Sequence, residues 1–222
     1  MAVATHALKQ IPFFGELDDD ALVQIAAYGQ EINFSPGQIV ISEGDPCRAV
    51  YFVVKGVVRI RRMSLEGREH VLAYRGPGEP FNLVPALDGG PNPATVDALS
   101  AVTLYTIPCQ HFRRIMHDHH KAALAVLKHL ASEVRRLGDM VEDLALHPVR
   151  TRLARFLLNH AESSQPPRRW TQEEIATNIG TVREIVSRTL RAFISEGLVR
   201  RERGRIVIVD QKGLERIASG ES

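Results

Sequence analysis

The stretch from Thr171 to Arg191, TQEEIATNIGTVREIVSRTLR, constrains this chain more than any other. Thr171 stands three residues before Glu174, and Thr181 three before Glu184. Each pair matches a capping box, in which the hydroxyl accepts from an orphan amide of the first helical turn and the carboxylate reaches back to the cap. Two helix starts so close together, with Asn178 and Gly180 between them, spell a helix, a tight turn and a second helix.

On the second helix Arg183, Glu184, Ser187 and Arg188 fall at i, i+1, i+4 and i+5, so they share a face while Ile185, Val186 and Leu190 point elsewhere. An Arg forks onto the O6 and N7 acceptors of guanine and a carboxylate accepts from the cytosine amino group, so this face suits a G·C-containing major-groove site. The competing reading is a solvated face carrying an Arg/Glu pair. The segment C-terminal to this helix favours the reader. Leu198 to Val209, LVRRERGRIVIV, reads as strand, turn and strand with Arg203-Gly204 at the tip, a wing that would lay Arg200, Arg201, Arg203 and Arg205 along a duplex backbone. Residues 148–222 hold 14 Lys and Arg against 9 Asp and Glu, net +5, whereas residues 1–147 hold 14 against 17, net −3. A basic module joined to a mildly acidic one is expected when only one end of a chain meets nucleic acid.

At 222 residues the chain suits one large domain or two small ones, and the charge split favours two. A hydrophobic fraction of 44% and a charged fraction of 24% are those of an ordinary water-soluble protein. No apolar run reaches the ~18 residues that span a bilayer, and the start, MAVATHALKQIPFF, lacks the basic and long apolar segments of a secretory signal. A cytoplasmic location with no membrane partner is therefore expected. Cys47 and Cys109 are the only cysteines, remote from each other in sequence and without C-x-x-C or clustered Cys/His spacing. Packing thiols are expected rather than a redox pair, because free Cys is commonly buried as a small hydrophobe.

After an acidic-started helix at Asp18 to Tyr28 the pattern turns to β for about eighty residues. Pro36-Gly37, Gly44-Asp45-Pro46, Gly56, Glu66-Gly67, Gly76-Pro77-Gly78 and Gly89-Gly90 punctuate the segments QIVI, AVYFVV, VVRIRR, HVLAYR and ATVDALSAVTLYTI. Many short strands so spaced mean a sandwich or barrel. The order PGQ, EGD, YFVVKGVVRI, GPGE, LDGGPNPATV resembles the cyclic-nucleotide-binding jelly roll of the cyclic-AMP receptor protein and fumarate–nitrate reduction regulator (Crp/Fnr) family of bacterial transcription factors. The likeness extends through the C-terminal module and covers nearly the whole chain. It implies an α+β architecture: an N-terminal double-stranded β-helix (jelly roll) as sensor at residues 1–109, a long dimerisation helix at 110–147, and a winged helix-turn-helix at 148–222. It also implies double-stranded DNA, a second copy of the chain and RNA polymerase as partners. Within the reader, Thr181, Arg183, Glu184, Ser187 and Arg188, with Arg203 and Arg205 of the wing, are the DNA-binding candidates, reading a TGA-like half-site.

The resemblance also locates an effector pocket, and there the chain departs from it. Members that bind a cyclic nucleotide carry a Glu for the ribose hydroxyl where this chain has Leu83, and an Arg for the cyclic phosphate where it has Asn92. An Asn offers neither the charge nor the planar fork of Arg. Leu137 and Gly138 lie where such members present hydroxyls to the adenine. With Thr95 these residues outline the candidate pocket, Leu83, Asn92, Thr95 and Leu137, for an unknown effector that is not expected to be cyclic AMP. The absence of an N-terminal Cys cluster argues against an iron–sulfur cluster. His111, His117, His119 and His120 in HFRRIMHDHH form a cluster that could ligate haem or metal. A solvated helix start is the preferred reading, because Asp118 is the only further ligand type at the right spacing.

From Gln110 to Leu146 no proline interrupts the chain, and a heptad places Leu127, Val134 and Val141 at a with Leu130, Leu137 and Leu144 at d. Apolar a and d positions flanked by Glu133, Arg136, Met140 and Asp143 suit a parallel two-stranded coiled coil. The alternative is a helix packed on its own β-domain, which also needs an apolar stripe. His147-Pro148 ends that helix, VRTRLARFLLNHA supplies the next with Leu153, Phe156 and Leu157 inward, and SSQPPRR is the loop before the reader. The expectation is a homodimeric transcription regulator under effector control. A second reading is a constitutive DNA binder whose jelly roll only dimerises. No Ser/His/Asp or paired-carboxylate constellation supports a third, an enzyme.

Overall fold

The computed structural model describes residues 8, 9, 11, 14, 15, 17, 19–67, 69–161, 170–202 and 204–220. The loop expected at SSQPPRR and the wing-tip Arg203 lie outside these. The chain divides into two compact units, Met1–Val134 and Arg135–Ser222.

In the first unit α1 (Asp19–Tyr28) precedes β1 (Gln30–Phe34), β2 (Ile39–Ile41), β3 (Ala49–Lys55), β4 (Val58–Met63), β5 (Glu69–Arg75), β6 (Pro80–Phe81), α2 (Leu83–Asp88), β7 (Thr95–Ala98), β8 (Val102–Pro108), α3 (Cys109–Asp118) and the start of α4 (His120–Leu146), whose residues from Arg135 on belong to the second unit. Two four-stranded antiparallel sheets, ordered β1-β8-β3-β6 and β2-β7-β4-β5, make the jelly roll. Ile41, Val53, Val58, Val96, Ala98, Val102 and Leu104 fill the space between them. The first sheet is buried on both sides. Val50 and Phe52 of β3, with Tyr105 and Ile107 of β8, turn outward into a second core under α1, α2, α3 and the start of α4. This explains why AVYFVV and VTLYTI read as near-continuous apolar runs. The second sheet alternates instead: Val58 of β4 and Val96 and Ala98 of β7 face the interior, while Arg59, Arg61, Thr95 and Asp97 lie on its other face.

Two local features were not expected from the sequence. QEINF forms β1, whose register runs from Gln30 opposite Thr106 to Phe34 opposite Val102. The span from Gln110 to Leu146 is two helices, broken at His119, which takes an extended conformation (φ −125°, ψ 96°) while its N–H closes the end of α3 on the Ile115 carbonyl. Packing decides the break: α3 buries Phe112 and Ile115, and α4 starts afresh to bury Ala122 and Val126 against the same core.

The second unit carries α5 (Val149–Ala161), α6 (Gln172–Ile179), α7 (Arg183–Ser195), β9 (Val199–Glu202), β10 (Arg205–Ile208) and α8 (Gln211–Ser219). Leu153, Phe156 and Leu157 of α5 point inward as expected, against Ile175, Val186, Leu190, Phe193, Leu198 and Leu214.

One close approach holds α1 to the first sheet. The buried Tyr105 hydroxyl donates to the Ile25 carbonyl at 2.6 Å, and a Cβ added at Gly29 would fall 1.5 Å from that oxygen. The ring has no exposed side toward which to swing. Gly29→Ala should therefore destabilise the protein by about 1–3 kcal/mol, measured by urea unfolding. In a Tyr105→Ala background, where the ring is gone, the same change should cost much less.

Candidate nucleic-acid interface and a cleft in the jelly roll

The Thr171 capping box forms as expected: its hydroxyl accepts from the Glu174 N–H at 3.1 Å, and the Glu174 carboxylate accepts from the Thr171 N–H at 2.8 Å. The second box does not form. Helix α7 begins at Arg183 with Val182 as N-cap and no side-chain cap bond, so Thr181 sits one position outside it. The turn supplies the reason. Gly180 ends α6 in the left-handed region at φ 65°, and the Thr181 N–H bonds back to the Ala176 carbonyl at 3.0 Å. Thr181 thus completes the end of α6 by its backbone instead of starting α7 by its side chain.

Helix α7 buries Val186, Leu190 and Phe193 and exposes Arg183, Glu184 and Arg188, with Ser187 half-buried beside them. Arg191, also exposed, extends this face, its Nε donating to the Ser187 carbonyl at 3.4 Å. Sequence reasoning passed over Arg191, although it continues the i+3 and i+4 spacing from Arg188 and Ser187. The helix end is held by Arg150 of α5, which bonds the Glu196 carboxylate at 2.9 Å and lies 5.0 Å from the centre of the Phe193 ring. That hydrogen-bonded guanidinium keeps the Glu196 carboxyl below its ordinary range. The wing is a two-stranded hairpin with Glu202 opposite Arg205 and Gly204 in the left-handed region at φ 80°. Arg200, Arg201 and Arg205 are exposed, and Arg200 is paired with Glu202 at 2.9 Å.

Of the four residues expected to outline an effector pocket, Leu83, Asn92 and Thr95 lie in the first unit, each with its own neighbours there. Leu83 is 4% exposed and belongs to the core beneath the helices. Asn92, 6% exposed, donates to the Ser42 carbonyl at 3.3 Å and accepts from the Asn82 amide at 3.2 Å. Its backbone bonds Asp45 and Gly44, both at 2.9 Å. The Thr95 hydroxyl accepts from the Glu43 N–H at 3.1 Å. Asn92 and Thr95 therefore secure the loop between β2 and β3, and Leu137 belongs to the other unit. On the face of the second sheet beside Thr95, Arg59 and Arg61 are neutralised by Asp97 and Glu69 at 2.8–3.2 Å. Burial opposes the charge of Arg59, but the Asp97 contact outweighs it and keeps the guanidinium above its ordinary range.

A cleft of about 310 Å³ opens instead between that loop and α3, lined among others by Gly44, Cys47, Gly89, Gly90, Cys109 and Arg113. Asn82, the one described non-glycine residue with positive φ (65°), donates to the Ala49 carbonyl at 3.0 Å and lies 3.5 Å from the Cys47 sulfur. The two cysteines, expected only as separate packing thiols, meet here with Sγ atoms 2.7 Å apart. Of the clustered histidines, His111 stacks on Tyr28 at 3.8 Å, and His117 pairs with Asp118 at 2.9 Å. Among the described residues no three His, Cys, Asp or Glu side chains are grouped to hold a metal ion.

Along α4, Leu127, Val134 and Val141 are 60–68% exposed, and Leu137 and Leu144 are exposed as well. Leu130 differs, packing on the jelly-roll core with Val126. Buried Arg75 of β5 reaches Glu133 at 2.6 Å and anchors the same stretch of α4. No helix among the described residues is long and apolar enough to cross a membrane.

A cyclic nucleotide-binding domain model matches residues 31–119, and a Crp-like helix-turn-helix domain model matches residues 151–217. The chain is 31% identical to the cyclic AMP receptor protein of Thermus thermophilus, over 96% of this chain and 99% of that protein. It is 28% identical to a CRP-like cAMP-activated global transcriptional regulator of Mycobacterium tuberculosis, over 95% and 98%. A transcriptional regulator of the crp/fnr family from Eubacterium rectale has the same fold, with a TM-score of 0.80 and 27% identity over 94% of this chain and 98% of that one. The Mycobacterium tuberculosis and Eubacterium rectale proteins are transcriptional regulators. Jelly roll, long helix and Crp-like helix-turn-helix succeed one another here over the same span as in these proteins, and the chain belongs to the Crp/Fnr family of transcription regulators.

Proposed function

We propose that this chain is a homodimeric, sequence-specific DNA-binding regulator whose jelly roll responds to a signal other than cyclic AMP. The observation that carries the reading is the exposed polar face of α7, Arg183, Glu184, Ser187, Arg188 and Arg191, presented beside a basic hairpin. Two such helices related by a two-fold axis read an inverted repeat with half-sites about one turn, roughly 34 Å, apart. The signal acts by shifting the fraction of dimers whose two reader helices are aligned, and RNA polymerase is the expected downstream partner. A second reading, a constitutive DNA binder, draws on the same residues that disfavour cyclic AMP: Asn92 and Leu83 are already committed to the fold. Tight binding of DNA by ligand-free protein would favour it.

The base readers and the backbone contacts separate experimentally. Arg188→Ala or Glu184→Ala should cost about 1–3 kcal/mol per half-site and relax preference at one base pair. Arg205→Ala should weaken all sequences alike and lower the salt slope by about one. Selection from random duplexes distinguishes the two; an unchanged motif from the Arg188 and Glu184 variants would remove α7 as the reader.

Dimerisation is read through the exposed side of α4. Val134→Glu with Val141→Glu would place like charges in an apolar seam, a penalty of several kcal/mol, while leaving each protomer's own core intact because both positions are open. Sedimentation should show monomers at concentrations where the parent is a dimer. Leu130 is unsuitable for this test, since it also supports the jelly roll.

For cyclic AMP the residues present do not fit. The Asn92 amide is spent on the Ser42 carbonyl, and Leu83 is enclosed, so neither a phosphate fork nor a ribose acceptor is offered. Calorimetry should find binding no tighter than millimolar. Micromolar binding accompanied by stronger DNA affinity would overturn this point.

A further inference from the structure

Cys47 and Cys109 lie 62 positions apart in the chain, yet their sulfurs are 2.7 Å apart. Backbone pairing is what brings them together. Ala49 is opposite Pro108 at the end of the β3–β8 ladder, and the Cys109 N–H continues it by donating to the Arg48 carbonyl at 3.1 Å. The segments bearing the two thiols are therefore pinned by the ladder and not merely by side-chain rotamers. Both thiols line the cleft, Cys47 is half-buried, and the exposed Arg113, one turn into α3 from Cys109, lines it too. The DNA-reading face makes no use of this site.

We propose that Cys47 and Cys109 are an oxidisable dithiol that closes to a reversible disulfide when a small peroxide enters the cleft. Cys47 is the attacking group because it is the more accessible. Its thiolate sulfur attacks one peroxide oxygen, the O–O bond breaks, and the departing hydroxide takes a proton to become water, leaving a sulfenic acid. The Cys109 sulfur, giving up its proton, then attacks the Cys47 sulfur; the S–S bond forms, the S–O bond breaks, and hydroxide leaves as a second water. Two thiols and one hydrogen peroxide become one disulfide and two waters. Arg113 favours the thiolate, but burial and the neighbouring Cys109 prevail and push Cys47 up to about 12. Thiolate is scarce at neutral pH, so oxidation is slow there and its rate should rise about tenfold per pH unit over the neutral range. The bond would fasten the loop between β2 and β3 to the start of α3, the helix that leads into α4.

The proposal is independent of the DNA reading, because it is scored by covalent chemistry. Reduced full-length protein is exposed to hydrogen peroxide at mildly alkaline pH, trapped with iodoacetamide and analysed by intact-mass and peptide mass spectrometry. The expected result is loss of two hydrogens, no alkylation, and one linked peptide pair containing Cys47 and Cys109 from the same chain, with both alkylation sites restored by dithiothreitol. Cys109→Ser should instead retain sulfenic acid on Cys47. Two thiols still alkylated after peroxide treatment, separate oxidation of each to sulfinic acid, or linkage only between chains would overturn the assignment.

Discussion

From Ala49 to Lys55 strand β3 carries apolar side chains on both faces, and β8 runs antiparallel to it with the same character from Val102 to Pro108. One face closes the sandwich and the other receives α1, α2, α3 and the start of α4. Burial on both sides makes the register strict. A slip by one residue would exchange Leu104 with Tyr105 and place a phenol between the sheets. The Tyr105 hydroxyl, bonded to the Ile25 carbonyl, fixes the register from outside by tying β8 to α1. Because α3 begins where β8 ends, the same pairing determines where the helices of the jelly-roll unit start and which side chains gather at that end.

The Arg135–Ser222 unit solves a different problem: it must hold a short helix rigidly while leaving much of its surface to solvent. Val186, Leu190 and Phe193 anchor α7 from below, Gly180 turns the chain sharply into it, and Arg150 grips its far end through Glu196 and the Phe193 ring. Side chains on the remaining face are thus presented from a backbone held by packing, which is what positional accuracy at a base edge requires. On the proposed reading the wing arginines need no such accuracy, since phosphate contacts carry charge and not sequence.

In the jelly roll, polar groups that family resemblance would reserve for a ligand are absorbed by the fold. Asn92 is hydrogen-bonded on its side-chain and backbone groups, and Thr95 holds the Glu43 amide. Buried polar groups must find partners, and a protein that replaces a ligand-binding Arg with a shorter amide can satisfy that amide internally. The ion pair from Arg75 to Glu133 ties β5 to α4.

Local chemistry was legible in the sequence: the Thr171 capping box, the strand segments and their glycine turns, the inward residues of α5, and the polar face of α7 all derive from spacing, because hydrogen-bond reach and the 3.6 and 2.0 periodicities are properties of neighbours along the chain. The misreadings share one cause. Thr181 lost its cap because the end of α6 claimed its backbone, and the expected single helix broke at His119 because two helices had to bury different residues in one core. Asn82, Arg113 and the meeting of Cys47 with Cys109 carry no sequence signal at all, since residues 62 apart become neighbours only through the β3–β8 register. Sequence by itself determined most element types, the family and the polar face of α7; tertiary structure alone decided which polar groups the fold itself engages, because that depends on what the rest of the chain brings within hydrogen-bonding distance.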